Sequence, residues 1–179
     1  MALSPRGFEE LHWLENGLRG APSFDAIYTS PLRRALETTA ALKRAGLGPV
    51  YACPSLREID CGALDGMPLD QIRCTHPGLW ATNQRQIDDR FRWPGGESYR
   101  EFRSRCLTAL RTLARRHNGG RVALVTHAGV IGQLVGFLAG TTAAQWERFR
   151  PGHAALSELE WERGRGTVIR FDDRTHLPV

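Results

Sequence analysis

The sequence predicts an α/β domain built on a mostly parallel sheet. Three observations carry this. Short apolar runs alternate along the chain with longer stretches of helical periodicity. The run Val122–Thr126 has no polar alternation, as in a strand buried on both faces. It passes through His127, Ala128 and Gly129 straight into an apolar pattern at helical spacing, Val130, Ile131, Leu134, Val135 and Leu138. That junction places His127 at the carboxyl end of a central strand and at a helix N-terminus. Open α/β sheets bind ligands at such a place, and backbone N–H groups there favour an anion. A buried histidine satisfied by a carbonyl fits the same position, so the neighbours must decide.

From the N-terminus, residues 4–19 form a helix capped by Ser4, with Pro5 at its first position and Phe8, Leu11, Trp13, Leu14 and Leu18 on its apolar face. Gly20 and Pro22 close it. Asp25–Thr29 is a short strand, and Ser30-Pro31 opens a helix that buries Leu32, Ala35, Leu36, Thr39, Ala40 and Leu42. Arg33 and Arg34 fall in its first turn, where a cation opposes the helix dipole by a few tenths of a kcal/mol. An anion among these groups gives the placement a purpose; two solvated arginines are the plain alternative.

Val50–Cys53 is a second strand, leading through Leu56–Asp60 into a loop with Gly62 and Gly66. Glu58, Asp60 and Asp65 are acid/base candidates or ordinary loop residues. The stretch 67–96, with Pro68, Pro77, Pro94, Trp80 and Trp93, reads as a short helix near 68–75 and then a long connection suited to a substrate lid. Ser98 and Glu101 make a capping box for a long helix to about His117, with Phe102, Cys106, Leu107, Leu110 and Leu113 on one face. Thr142 and Gln145 make another, opening a short helix with Trp146 and Phe149. Residues 154–161 and 167–171, around Gly164–Gly166, read as a terminal hairpin.

A chain of 179 residues suits one domain, 1–179. The formal net charge is +5, and with Lys43 the only lysine almost all the basic charge is arginine. Arginine matches phosphate oxygens bidentately and suits a phosphorylated ligand. The arginines are spread rather than blocked, which argues against a nucleic-acid partner. Cys53, Cys61, Cys74 and Cys106 form no C-x-x-C pair, so neither zinc nor a dithiol is signalled, and a reducing compartment fits. With no 18-residue apolar run and no secretory core after Met1, a cytoplasmic protein without a membrane partner is expected.

Five segments together resemble the histidine phosphatase superfamily, the phosphoglycerate-mutase-like enzymes. Leu3-Ser4-Pro5-Arg6-Gly7 looks like the L-[ST]-x-x-G helix start, and Ser30-Pro31-Leu32-Arg33-Arg34-Ala35-Leu36-Glu37-Thr38 like S-x-L-x-R-A-x-[QE]-T. Leu56-Arg57-Glu58-Ile59-Asp60-Cys61-Gly62 is similar to L-x-E-x-x-x-G, Pro94-Gly95-Gly96-Glu97-Ser98 to P-G-G-E-S, and Val125-Thr126-His127-Ala128-Gly129 to the second-histidine element. Each is weak alone; five in family order are not.

The resemblance implies a three-layer α/β/α fold and a phosphomonoesterase acting on a small phosphorylated metabolite, such as α-ribazole phosphate or a sugar phosphate. In that family one histidine attacks phosphorus, and water hydrolyses the phosphohistidine. By residue match, Arg34 clamps the phosphate oxygens, His127 hydrogen-bonds them with Ala128 beside it, and Glu58 protonates the leaving alkoxide. No metal or organic cofactor is implied, and Glu97 is left without a role. Leu64 stands where many phosphatases of the group carry tryptophan, which leaves substrate identity open.

One departure is large. The family's R-H-G element lies on a strand before the L-[ST]-x-x-G helix, and here that helix begins at Leu3. His12, His76, His117, His153 and His176 match nothing at the nucleophile's position. The chain is therefore expected to be inactive as it stands. The alternative is a catalytically dead pseudophosphatase that binds a phosphate ligand. In the family that strand sits between the one ending at His127 and the one near 155–161. Its loss leaves unpaired edge groups at about 1–3 kcal/mol each, against net stabilities of roughly 5–15 kcal/mol. One of three situations is expected to resolve this: a truncated or mis-started gene product, direct pairing of the flanking strands, or an edge supplied by a partner chain. A homodimer is among the arrangements this allows.

Overall fold

The computed structural model describes residues 1–178. In chain order the elements are α1 (Pro5–Gly17), β1 (Ala26–Thr29), α2 (Arg33–Arg44), β2 (Val50–Ala52), α3 (Leu69–Thr75), α4 (Pro77–Arg85), α5 (Tyr99–Arg116), β3 (Val122–Val125), α6 (Ala128–Leu138), β4 (Leu156–Glu162) and β5 (Arg165–Asp173). The first three strands form a parallel sheet in the order β2-β1-β3, with Tyr28 level with Tyr51 on one side and Leu124 on the other.

Side chains alternate across a strand, so β1 serves two cores at once. Ala26 and Tyr28 pack with Phe102, Cys106 and Leu110 of α5 and with Val130 and Leu134 of α6. Ile27 faces the other way, onto Leu42 of α2 and Leu47. The helices therefore cover both faces of the sheet. The expected caps hold this frame: Ser4 Oγ accepts from the Gly7 N–H at 3.1 Å. At the start of α5, Ser98 Oγ accepts from the Glu101 N–H at 3.3 Å while Glu101 Oε2 accepts from the Ser98 N–H at 2.7 Å. No helix among the described residues is long and apolar enough to cross a membrane.

Four expectations need correction. The run ending at His127 is not the central strand. Among the described residues β3 is half-buried along its length and has one strand neighbour, whereas β1 is buried at every residue. An apolar run cannot distinguish burial between two strands from burial beneath two helices. Nor do the flanking strands pair. β4 and β5 form a separate antiparallel hairpin, and Leu159 and Trp161 of β4 pack against the core cluster that includes Val122 and Leu124. Side-chain packing, not a hydrogen-bonded ladder, joins the two sheets.

The segment after α3 is not a long irregular connection either. Pro77 opens α4, and Phe91 meets Trp93 edge to face at 5.1 Å between centroids and stacks on Tyr99 at 5.5 Å, in a cluster with Leu64 and Ile72. Lastly, α2 begins at Arg33 after Leu32, without a side-chain cap; Leu36 and Ala40 face solvent and Ala41 faces in. At the second expected box Gln145 Oε1 accepts from the Thr142 N–H at 3.2 Å, and the short helix that it opens is the 3₁₀ segment Ala143–Phe149.

The loop carrying Gly96 lies against the backbone of Asp60 so closely that a Cβ on Gly96 would stand 2.3 Å from the Asp60 carbonyl oxygen. Gly96→Ala is expected to cost about 1–3 kcal/mol in urea denaturation, with the m-value unchanged. A loss under about 0.5 kcal/mol, within the range of an ordinary surface change, would mean that the two loops part freely.

Candidate active site

β1 and β3 run parallel, so both end at the same edge of the sheet, and the Ser30 N–H donates to the Val125 carbonyl there at 2.9 Å. Beyond that edge each strand hands over to a helix. Arg34 stands in the first turn of α2, and His127 is the N-cap residue of α6. The two meet: Arg34 Nε donates to His127 Nδ1 at 3.2 Å. With Nδ1 accepting, the imidazole proton lies on Nε2, which donates to Ser30 Oγ at 2.7 Å. Ser30 Oγ in turn accepts from the Leu32 N–H at 3.2 Å. His127 is 6% exposed. Burial first, then the charges of Arg34 and Arg105, push its pKa down to about 4, so the ring is neutral at neutral pH.

Glu58 enters from the turn after β2. Its Oε2 accepts from the Gly129 N–H at 3.1 Å and its Oε1 from the Ile59 N–H at 3.0 Å. Gly129 is required here, because a Cβ would stand 2.2 Å from Glu58 Oε1. Thr126 Oγ1, donating to the Leu56 carbonyl at 2.7 Å, ties the same turn to the end of β3. Burial raises the pKa of the Glu58 carboxyl above the usual glutamate value. The two N–H donors and the positive charges of Arg34 and Arg150 pull the other way without prevailing.

Three of the four residues singled out from the sequence, Arg34, His127 and Glu58, therefore sit around one helix N-terminus. The fourth, Ala128, is the half-buried first residue of α6 beside them. Of the other carboxylates, exposed Asp60 closes its own loop by accepting from the Gly62 N–H at 2.8 Å, and Asp65 is exposed. Ser30 escaped the sequence reading as a site residue because Ser-Pro before an apolar run reads as a helix start. Two surface hollows, one bordered by Arg19 and Arg44 and the other by Gln86 and Arg148, share no residue with this cluster. A fixed guanidinium, an imidazole, helix N-terminal N–H groups and a carboxyl with a raised pKa can hold an anion and hand it a proton.

Fold and site thus define an α/β protein with a guanidinium, an imidazole and a carboxyl gathered at the carboxyl edge of a parallel sheet. Residues 1–174 match the model of the histidine phosphatase superfamily (branch 1), and the chain belongs to that family. The metal-independent phosphoserine phosphatase of Arabidopsis thaliana is 32% identical over 107 residues, 59% of this chain and 45% of that protein. Phosphoglycerate mutase-like protein 4 of the same plant is 29% identical over 161 residues, 88% of this chain and 64% of its own. The chain thus spans less than two thirds of either relative. Among solved structures, YhfR of Bacillus stearothermophilus superposes with a TM-score of 0.84 at 27% identity, over 97% of this chain and 86% of that one. The α-ribazole phosphatase of Shigella flexneri shares the fold with a TM-score of 0.82 at 22% identity, over 96% and 84%.

Proposed function

We propose that this chain carries the phosphate-gripping and proton-donating half of a phosphomonoesterase acting on a small phosphorylated metabolite, an α-ribazole-phosphate-like or sugar phosphate ester. The observation that carries the reading is the Arg34–His127 contact, at 3.2 Å, beside the carboxyl of Glu58. Arg34 holds the charged equatorial oxygens, and the α6 N-terminus at Ala128 adds backbone N–H groups. A dianion beside His127 favours a second proton on the ring, on Nδ1, turning that nitrogen from acceptor to donor toward the phosphate. Glu58 keeps its proton to a higher pH than an ordinary glutamate, which suits a donor to a poor alkoxide leaving group. The phosphoserine phosphatase relative supports a small phosphate ester as the ligand.

The chemistry also needs a nucleophile. His12 is hydrogen-bonded to Asn16, His76 to Thr75 and His117 to Tyr28, none of them a member of the cluster, while His153 is exposed and His176 lies against Gly17. Residues 1–179 are accordingly expected to bind inorganic phosphate but to release no nitrophenol from an aryl phosphate above background. Turnover that disappears in His127→Ala would overturn the expected inactivity, and failure to bind millimolar phosphate would overturn the cradle.

Those histidine contacts also favour the second reading, a pseudophosphatase serving as a phosphate-ligand binding module. Added imidazole separates the two. Slow turnover restored by free imidazole, and lost in Arg34→Ala, marks a phosphatase site short of one group; binding without such rescue marks the module.

A further inference from the structure

Glu97 and Arg105 remain outside the site described so far, yet their contacts converge on one of its members. The pair is largely buried, the side chains 16% and 18% exposed. Arg105, on α5, has five N–H donors, and all five are engaged. Nη1 donates to the carbonyls of Ser55 and Arg57, each at 2.9 Å. Nη2 donates to the Glu58 carbonyl at 3.3 Å and to Glu97 Oε1, and Nε donates to Glu97 Oε2 at 3.2 Å. The guanidinium carbon lies 5.0 Å from the centroid of the Phe102 ring, which supports it from one side. Glu97 reaches the far flank of the same turn: its Oε1 accepts from the Asp60 N–H at 3.0 Å, and its own N–H donates to the Asp60 carbonyl at 3.0 Å.

The polar groups of residues 55, 57, 58 and 60 are thus held by one charge pair. This turn has little regular structure of its own, only a single 3₁₀ turn at Pro54–Leu56. A sheet or helix would otherwise satisfy such carbonyls.

We infer that Arg105 and Glu97 are positioning residues for Glu58. By fixing the backbone on both sides of it, they hold its carboxyl against the Gly129 N–H at the mouth of the anion cradle. The inference rests on the reading of Glu58 as the proton donor. A planar five-donor fork does this and a lysine cannot, since three donors on one nitrogen cannot span three carbonyls and a carboxylate. The raised pKa of Glu58 is consistent with a carboxyl kept from water by such a frame.

The test uses the Gly129 amide. It is an N-terminal N–H of α6 with no partner inside the helix, so Glu58 protects it from exchange. In Arg105→Lys, which keeps the charge near His127, Gly129 exchange is expected to quicken at least tenfold. Ile131, whose N–H bonds the His127 carbonyl within α6, is expected to stay within about twofold. In the same protein the Glu58 carboxyl, followed by ¹³C NMR and assigned by its loss in Glu58→Gln, is expected to titrate nearer the ordinary glutamate range. Should Arg105→Lys not fold, the isosteric Glu97→Gln is expected to move both readouts the same way. A folded variant in which neither readout changes would overturn the inference. If instead the unsubstituted protein protects Gly129 while Glu58 titrates as an ordinary glutamate, the proton-donor reading fails and the positioning stands.

Discussion

Replacing Arg34 with alanine is expected to weaken inorganic phosphate binding by about 10- to 100-fold while leaving the protein folded. A hydrogen bond to a charged partner contributes about 1.5–3 kcal/mol, and each 1.4 kcal/mol is tenfold in affinity. Helix α2 gains a few tenths of a kcal/mol from losing a cation that opposes its dipole, whereas His127 Nδ1 loses its donor at about 1–3 kcal/mol, so a net loss of about 1–2 kcal/mol is expected. Arg34→Lys restores the charge but not the directed Nε–H bond to His127, and is expected to recover only part of the affinity. The charge of Arg34 also depresses the His127 pKa, so that pKa should rise in Arg34→Ala and rise less in Arg34→Lys. Calorimetric titration at low salt, with histidine titration by NMR, measures both. Affinity unchanged within twofold in Arg34→Ala would remove the guanidinium from the cradle.

The range of each interaction decided how much of it the sequence disclosed. The capping box at Ser98, the proline after Ser4, the glycines ending helices and the alternation of β4 and β5 are local signals, and each element appears where its signal lies. The meeting of Arg34 with His127 was legible because strands of a parallel sheet end at one edge. Three features were not. The strand order depends on which edges find partners, and Val122–Val125 carries the same letters at an edge as in the middle. Pro77 begins a helix as readily as it ends one. Glu97 and Arg105 act through backbone carbonyls some fifty residues away from Arg105, and a carbonyl carries no letter.

Stability against pH is expected to be shaped between about pH 4.5 and 7 by two buried groups that oppose each other there. His127 keeps its folded-state pKa near 4 against an ordinary 6.5, so the unfolded chain binds the extra proton in that interval. Its contribution is full above pH 6.5 and is lost as pH falls toward 4. A gap of about 2.5 pH units at about 1.36 kcal/mol each makes this about 3 kcal/mol. Glu58 works with the opposite sign. Its folded pKa is raised above the ordinary 4.5, so the folded state holds the extra proton, and stability is lost as pH rises from 4.5 through the folded value. Glu58→Gln removes that counterweight, and its urea midpoint is expected to fall steeply on acidification from pH 7 to 4.5, revealing most of the His127 loss. His127→Gln removes the other group, and its midpoint is expected to climb over the same interval. Parallel pH profiles for the two variants would show that neither group titrates away from its unfolded value, and with that the neutral imidazole and the proton-holding carboxyl would both be lost as features of the site.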